Sequence, residues 1–170
     1  MNSKAIPKGS TNRTKIPKWV SAIPKGSHGS GDLQKRLWRV VSDYVRIRDW
    51  TLYGRCVATG RVISHWKDGD AGHFKAFSKC NGIFKFNPIN IHLQSKSSNG
   101  FGDFDDWKAY EKELKSRYGD GAIDRIESEN RATSLKFTTA EILDMMRAYI
   151  AAIGLYDEQP DYLDRVNSLL

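Results

Sequence analysis

Residues 70–99 read DAGHFKAFSKCNGIFKFNPINIHLQSKSSN. The stretch holds two of the four histidines, His73 and His92, together with the carboxylate of Asp70 and four asparagines, among them Asn90 and Asn99. Lysines and aromatic residues are interleaved through it. No other part of the chain gathers as many groups able to bind a metal or move a proton, so any chemistry belongs here. Turn dipeptides punctuate the region at Asp68-Gly69, Asn81-Gly82 and Asn87-Pro88. Arg61–His65 reads as a short strand and Asp70–Phe74 as its returning partner, a β-hairpin. Phe84 and Phe86, alternating with Lys85, read as a short extended piece. Residues 91–99 read as one short helix or a loop, ending at Gly100 and Gly102.

Helical patterns flank this centre. After Asp32, a candidate N-cap, Leu33, Leu37, Trp38, Val40, Val41, Tyr44 and Val45 recur at helical spacing, which predicts an amphipathic helix to about Asp49. Its arginines, including Arg46 and Arg48, face either nucleic acid or water. Downstream, Asp103 or Asp105 caps a helix over Trp107–Tyr118 that stops at Gly119, and a short helix covers 121–129. Thr138 or Thr139 starts the last helix, with Glu141 placed for a capping box and Ile142, Leu143, Met146, Tyr149, Ile150 and Ile153 on one face before Gly154.

The 170 residues suit one modest domain with tails. No apolar run is long enough to span a membrane. The N-terminus lacks the apolar core of a secretory signal, and two cysteines make no disulfide framework, so a reducing cytoplasmic setting is expected. The net charge of +7 is unevenly placed. Residues 1–31 carry six bases and no acid, residues 32–102 twelve bases against five acids, and residues 103–170 nine bases against fifteen acids. The first hundred residues therefore suit a polyanionic partner, the alternative being a solvated surface. The hexapeptide AIPKGS recurs at Ala5–Ser10 and Ala22–Ser27. With so much Pro, Gly, Ser and Lys, residues 1–31 are expected to be a disordered basic arm, touching phosphates or merely solubilising the chain. Residues 32–155 form the domain and 156–170 a loosely held acidic tail.

Phosphodiester hydrolysis needs a base to activate water and a cation to offset charge on the phosphate and the leaving oxygen. His73 can supply the base, while Asp70 and Asn99 supply oxygen ligands of the kind Mg²⁺ prefers. Asn90 either fixes the loop or orients His73. Lys75, Lys79 and Lys85 would attract a nucleic-acid backbone. The bland alternative is a strand histidine with a structural role, beside asparagines that serve turn geometry.

The run DAGHF, then FKFNPINIH, then SSN resembles the HNH, or ββα-metal, nuclease motif. More narrowly it resembles the phage lambda NinG (Rap) recombination endonuclease family. That family is marked by a D-A-G-H-Y/F strand, then R-F-N-x-x-N-I-H, then a C-x-x-C-N segment. Asp70–Phe74 matches the first piece unchanged, Lys85–His92 the second with Lys for Arg, and Asn99 the asparagine of the third. The likeness reaches YVRIRD at Tyr44–Asp49, RYG at Arg117–Gly119 and AIDRIES at Ala122–Ser128, covering about residues 40–155. It implies an α+β fold: a small ββα-metal core with flanking helices. It implies an endonuclease, using Mg²⁺ or Mn²⁺, that cleaves branched DNA such as Holliday junctions and D-loops. It implies a phage or prophage protein working in the cytoplasm of a bacterial host. His73 would be the general base, Asn90 would position the loop, and Asn99 would bind metal. Gly72 stands where many HNH nucleases carry a first metal ligand, and Asp70, of the same strand parity, is the expected substitute. Arg46, Arg48, Lys75, Lys79, Lys85 and His92 are the expected DNA contacts. A homodimer would suit a four-way junction.

Two departures matter. The family's paired C-x-x-C motifs fall here on Cys56, Thr59, Ser95 and Ser98, so no structural zinc is expected, and hydrogen bonds with packing by Trp50, Tyr53 and Phe101 should replace the cross-link. The family's H-K-S-G-N is here Gly100–Asp103, which makes Asp103 an alternative ligand. The competing readings are a non-catalytic DNA-binding remnant of the fold and a general HNH endonuclease. Deleting residues 1–31 should lower the log–log salt slope of DNA binding by roughly 0.9 per lost phosphate contact. Equal slopes for the full and shortened chains in a salt titration would make the arm a spectator.

Overall fold

The structure, a computed structural model, describes residues 31–133 and 138–156. The expected basic arm and acidic tail, apart from Gly31 and Tyr156, lie outside the described residues. In chain order the elements are α1 (Gly31–Tyr53), β1 (Gly69–His73), β2 (Ile91–Ser95), α2 (Lys96–Phe101), α3 (Phe104–Tyr118), α4 (Ala122–Ala132) and α5 (Thr139–Ile153), with 3₁₀ turns at Trp66–Asp68, Phe77–Lys79 and Gly82–Phe86. The architecture is α+β and mostly helical, around one two-stranded antiparallel sheet.

Two cores form beside the sheet. Leu33, Leu37, Val40, Val41 and Val45 of α1 pack against Ile142, Met146 and Ile150 of α5, joined by Ala71, Ile91 and Phe86. In a second cluster Leu93 and Phe74 join Cys56, Val57, Ile63, Phe84, Tyr110, Leu114 and Ile126. Each fully buried Leu, Ile or Phe among these contributes about 1.5–3 kcal/mol. The helix ends follow local chemistry. Asp103 Oδ1 accepts from the backbone N–H groups of Asp105 and Asp106. Thr138 and Glu141 form the capping box that opens α5. α1 overruns Asp49 by one turn and stops at Gly54, whose φ of 63° suits glycine and whose N–H donates to Trp50 O at 2.9 Å.

The strand pairing differs from the expected hairpin. β1 pairs with β2 in the register Asp70↔Gln94, Gly72↔His92 and His73↔Ile91, across the intervening loop 74–90. Arg61–His65 makes no strand. Val62 is 84% exposed and forms only an isolated bridge with Arg55. The physical reason is burial: Ile91 and Leu93 are wholly buried, whereas 61–65 offers Val62 to solvent. Residues 91–99 accordingly divide into a strand and a helix, with Ser95 Oγ accepting from Ser98 N–H to cap α2. Gly82–Phe86 is a 3₁₀ turn rather than an extended piece, with Phe84 and Phe86 buried in separate clusters.

The elements meet at Asp49, which has no solvent exposure. Its Oδ1 accepts from Arg48 Nε at 2.6 Å, and its Oδ2 accepts from His92 Nδ1 and Leu93 N–H, each at 2.9 Å. Arg117 of α3 approaches Oδ2 at 3.5 Å. Arg48 also donates to Pro88 O and Ile91 O. Burial alone would raise the Asp49 carboxyl, but its bonds and charge pairing with His92 and Arg48 hold it well below the usual carboxylate range. Replacing Asp49 by Ala should therefore lower unfolding free energy by about 3–5 kcal/mol, because buried Arg48 loses its counter-charge and His92 and the Leu93 N–H lose their acceptor. Urea denaturation measures it, and a loss under about 1 kcal/mol would show the network to be dispensable.

Candidate active site

The frame is β1, loop 74–90, β2 and α2 in direct succession. Asn90, fully buried, closes the neck of the loop. Its backbone O accepts from Phe74 N–H at 2.9 Å. Its Oδ1 accepts from Lys75 N–H at 2.8 Å, and its Nδ2 donates to Lys75 O at 3.0 Å and to Cys80 Sγ. The side chain thus mimics one more step of the strand ladder. Of the two roles read for Asn90, it takes the loop-fixing one; its amide touches Lys75 and not His73.

His73 ends β1. Its Nε2 lies 2.8 Å from Lys85 O. A carbonyl only accepts, so Nε2 carries the hydrogen and Nδ1 keeps the lone pair. The ring stacks on Trp38, with centroids 5.0 Å apart and planes 22° from parallel, and meets the Phe77 ring edge-on at 5.4 Å. Burial pushes the imidazole below its ordinary pKa, and the Lys85 carbonyl opposes this only in part. The ring is held neutral near pH 7.

Asp70 and Asn99 are brought together. Asn99 Nδ2 donates to Asp70 Oδ2 at 3.3 Å. Between them lies Gly72, and the place its Cβ would take is filled. A Cβ there would stand 1.5 Å from Gln94 Oε1 and 2.7 Å from Asn99 Oδ1. The absent Cβ makes a notch in the backbone that the amide oxygens of Gln94 and Asn99 occupy, beside the Asp70 carboxylate. Gln94 Nε2 donates to Ser98 Oγ, which turns Oε1 toward the notch. Among the described residues no cluster of three or more His, Cys, Asp or Glu side chains could hold a metal. The oxygens of Asp70, Asn99 and Gln94 nevertheless fit a hard divalent ion that keeps most of its water, as Mg²⁺ does. Asp103 is engaged in capping α3 and takes no part in the notch.

His73 and Asn99 both line a groove of about 640 Å³, walled by Gln34, Lys35, Trp38 and Arg39 of α1 and by Phe77 and Phe86. The α1 side of this groove was not legible as a site, because Trp38 sits within a helical apolar stripe. Gln94 was missed too; its signal is the register partner of Asp70, readable only once β2 is known to be a strand.

The expected DNA contacts divide. Lys79 is exposed, and Lys85 is half-buried with its Nζ 5.0 Å from the Phe77 ring centroid. Lys75 pairs with Glu127 at 2.8 Å. Arg46 is largely buried, pairing with Asp43 and lying over the Trp66 ring. Arg48 and His92 are buried in the Asp49 network and offer no donor to a phosphate. Where packing and hydrogen bonds were expected in place of a zinc cross-link, Thr59 N–H donates to Cys56 Sγ at 3.4 Å, while Val57 N–H donates to Leu93 O at 2.9 Å and so ties the 56–59 turn to β2. Trp50 packs here and donates from Nε1 to Ile63 O, and Tyr53 lies under the Arg117 guanidinium. Phe101 does not join them; it is 92% exposed.

The family described as Bacteriophage Lambda NinG protein matches residues 8–158, nearly the whole chain. The chain belongs to the NinG family. Membership makes it a phage protein related to recombination. No curated protein and no solved structure matches it. The residues that carry the NinG likeness fall in three places: His73 and Asn99 at the groove with Asp70 bonded to Asn99, Asn90 at the loop neck, and Asp49, His92 and Arg117 in the buried network. Among the described residues no helix is long and apolar enough to cross a membrane.

The His73 environment can be checked directly. An NMR titration of the imidazole should place its midpoint below the ordinary value of about 6.5. A midpoint above it would mean that burial does not govern the ring.

Proposed function

We propose that this NinG-family chain is a metal-dependent endonuclease of the HNH, or ββα-metal, type that cuts branched DNA. One observation carries the reading. A histidine whose tautomer is set by Lys85 O lines the same groove as Asn99, and Asn99 is hydrogen-bonded to the Asp70 carboxylate, on a strand–loop–strand–helix frame. The motif likeness supports the branched-substrate part.

In this reading His73 Nδ1 accepts the proton of a water molecule as its oxygen attacks phosphorus, and the bond to the leaving ester oxygen breaks. Lys85 O holds the ring in place by accepting from Nε2 throughout. Asp70, Asn99 and Gln94 would hold Mg²⁺ or Mn²⁺, which supplies positive charge against the phosphate and the leaving oxygen. Asn90 is a positioning residue: by closing the loop neck it sets where Lys85 O meets the ring. Trp38 excludes water from one face of the imidazole. Lys35, Arg39, Lys79 and Lys85 provide the cationic rim for the DNA backbone.

His73→Ala should lower cleavage of a labelled four-way junction in Mg²⁺ by about 10²–10⁴, with the circular dichroism spectrum retained. The wild-type rate should fall as pH drops below about 6.5, because protonation removes the lone pair that the base needs, and it should be level above. Turnover equal to wild type in His73→Ala would remove His73 from the mechanism. No cleavage by the wild type in either metal would favour a DNA-binding protein without activity.

A further inference from the structure

We propose that the groove wall at Phe77 takes an unpaired nucleobase of the DNA, so that a phosphate reaches His73 where the strand is unstacked. This rests on DNA being the partner of the groove, and it adds the feature of the substrate that the groove selects.

The loop apex, residues 76–79, is exposed at all four positions, and Phe77 keeps 45% of its surface open. An apolar ring on a solvent-facing loop would ordinarily turn inward. Phe77 is instead held upright. It meets the rings of Trp38, His73 and Phe86 at 72°, 85° and 80°, with centroids 6.3, 5.4 and 6.2 Å away. Three near-perpendicular partners fix its plane, as edge-to-face packing favours. The Lys85 ammonium lies 5.0 Å from its centroid, a cation over the ring. The side chain is therefore a rigid aromatic plate at the mouth of the groove, in edge contact with the imidazole that holds the lone pair.

The surroundings supply the other half of a single-strand site. Lys35 and Arg39, both exposed, stand on the α1 wall, and exposed Lys79 stands in the same 3₁₀ turn as Phe77. Aromatic plates flanked by cations bind unpaired strands, since every base has a face to stack and every linkage a charge to neutralise. A paired base within a duplex presents only its edges, so it gains nothing from the plate. The groove then distinguishes branched, gapped or frayed DNA from continuous duplex by stacking.

The test measures binding without Mg²⁺, so that it does not depend on cleavage. Fluorescein-labelled oligothymidylate and a linear duplex of equal length are titrated with wild type, Phe77→Leu and Phe77→Tyr. Leucine keeps apolar packing and removes the plate; tyrosine keeps the plate. Phe77→Leu should weaken oligothymidylate binding by about 5- to 150-fold and leave duplex binding unchanged, and Phe77→Tyr should bind as wild type does. Hydrolysis of bis(p-nitrophenyl) phosphate in Mg²⁺ is followed in the wild type alone, because Phe77 touches the His73 ring. Equal oligothymidylate binding by Phe77→Leu, equal weakening on both DNAs, or no oligothymidylate binding by wild type would each overturn the proposal. Failure of the endonuclease reading looks different: hydrolysis would be absent while the dependence on the ring persisted.

Discussion

A carboxylate without solvent contact joins three separate parts of this fold. Asp49 receives hydrogen bonds from its neighbour in α1, from the ring of His92 and the backbone of Leu93 in β2, and lies beside Arg117 of α3. A buried charge is tolerated only when it is paired and hydrogen-bonded, so this point fixes the relative placement of the elements more tightly than apolar packing, which slides more easily. β2 is the strand that sets the register of β1, and β1 carries Asp70 and His73. The groove between α1 and the sheet edge thus inherits its width from an ion cluster that never touches it.

The site itself is economical in side chains. A glycine leaves the notch, and two amides occupy it beside one carboxylate. At the 56–59 turn Thr59 N–H donates to Cys56 Sγ, and the Val57–Leu93 backbone bond joins the turn to the sheet.

Much of this was legible before the coordinates. The apolar spacing of α1 and α5, the Asp103 cap and the Thr138–Glu141 capping box are local features, decided within one or two turns of chain, and they stand as read. Asp70 and Asn99 share a hydrogen bond, and His73 and Asn99 line one groove. What was misread depends on distant partners. The strand β2 begins after a loop that no hairpin argument spans, and its alternation of Ile91 and Leu93 with polar residues was masked by the serines that follow. Arg48 and His92 look like DNA contacts in a basic stretch. Only the approach of Asp49, more than forty residues from His92, turns both inward. Trp38 could not be separated from its helical stripe until the sheet edge was placed beside it.

Residue 85 divides its labour between two halves of one amino acid. The carbonyl sets the imidazole tautomer, and the side chain reaches over the Phe77 ring. Every amino acid brings the same carbonyl, so the proton placement on His73 is insulated from genetic change at that position. The cation can be exchanged, as the Lys in place of the motif's Arg illustrates, while the imidazole keeps its polarity. Evolution is thereby free to adjust how the loop meets its partner without reopening the question of which nitrogen is basic.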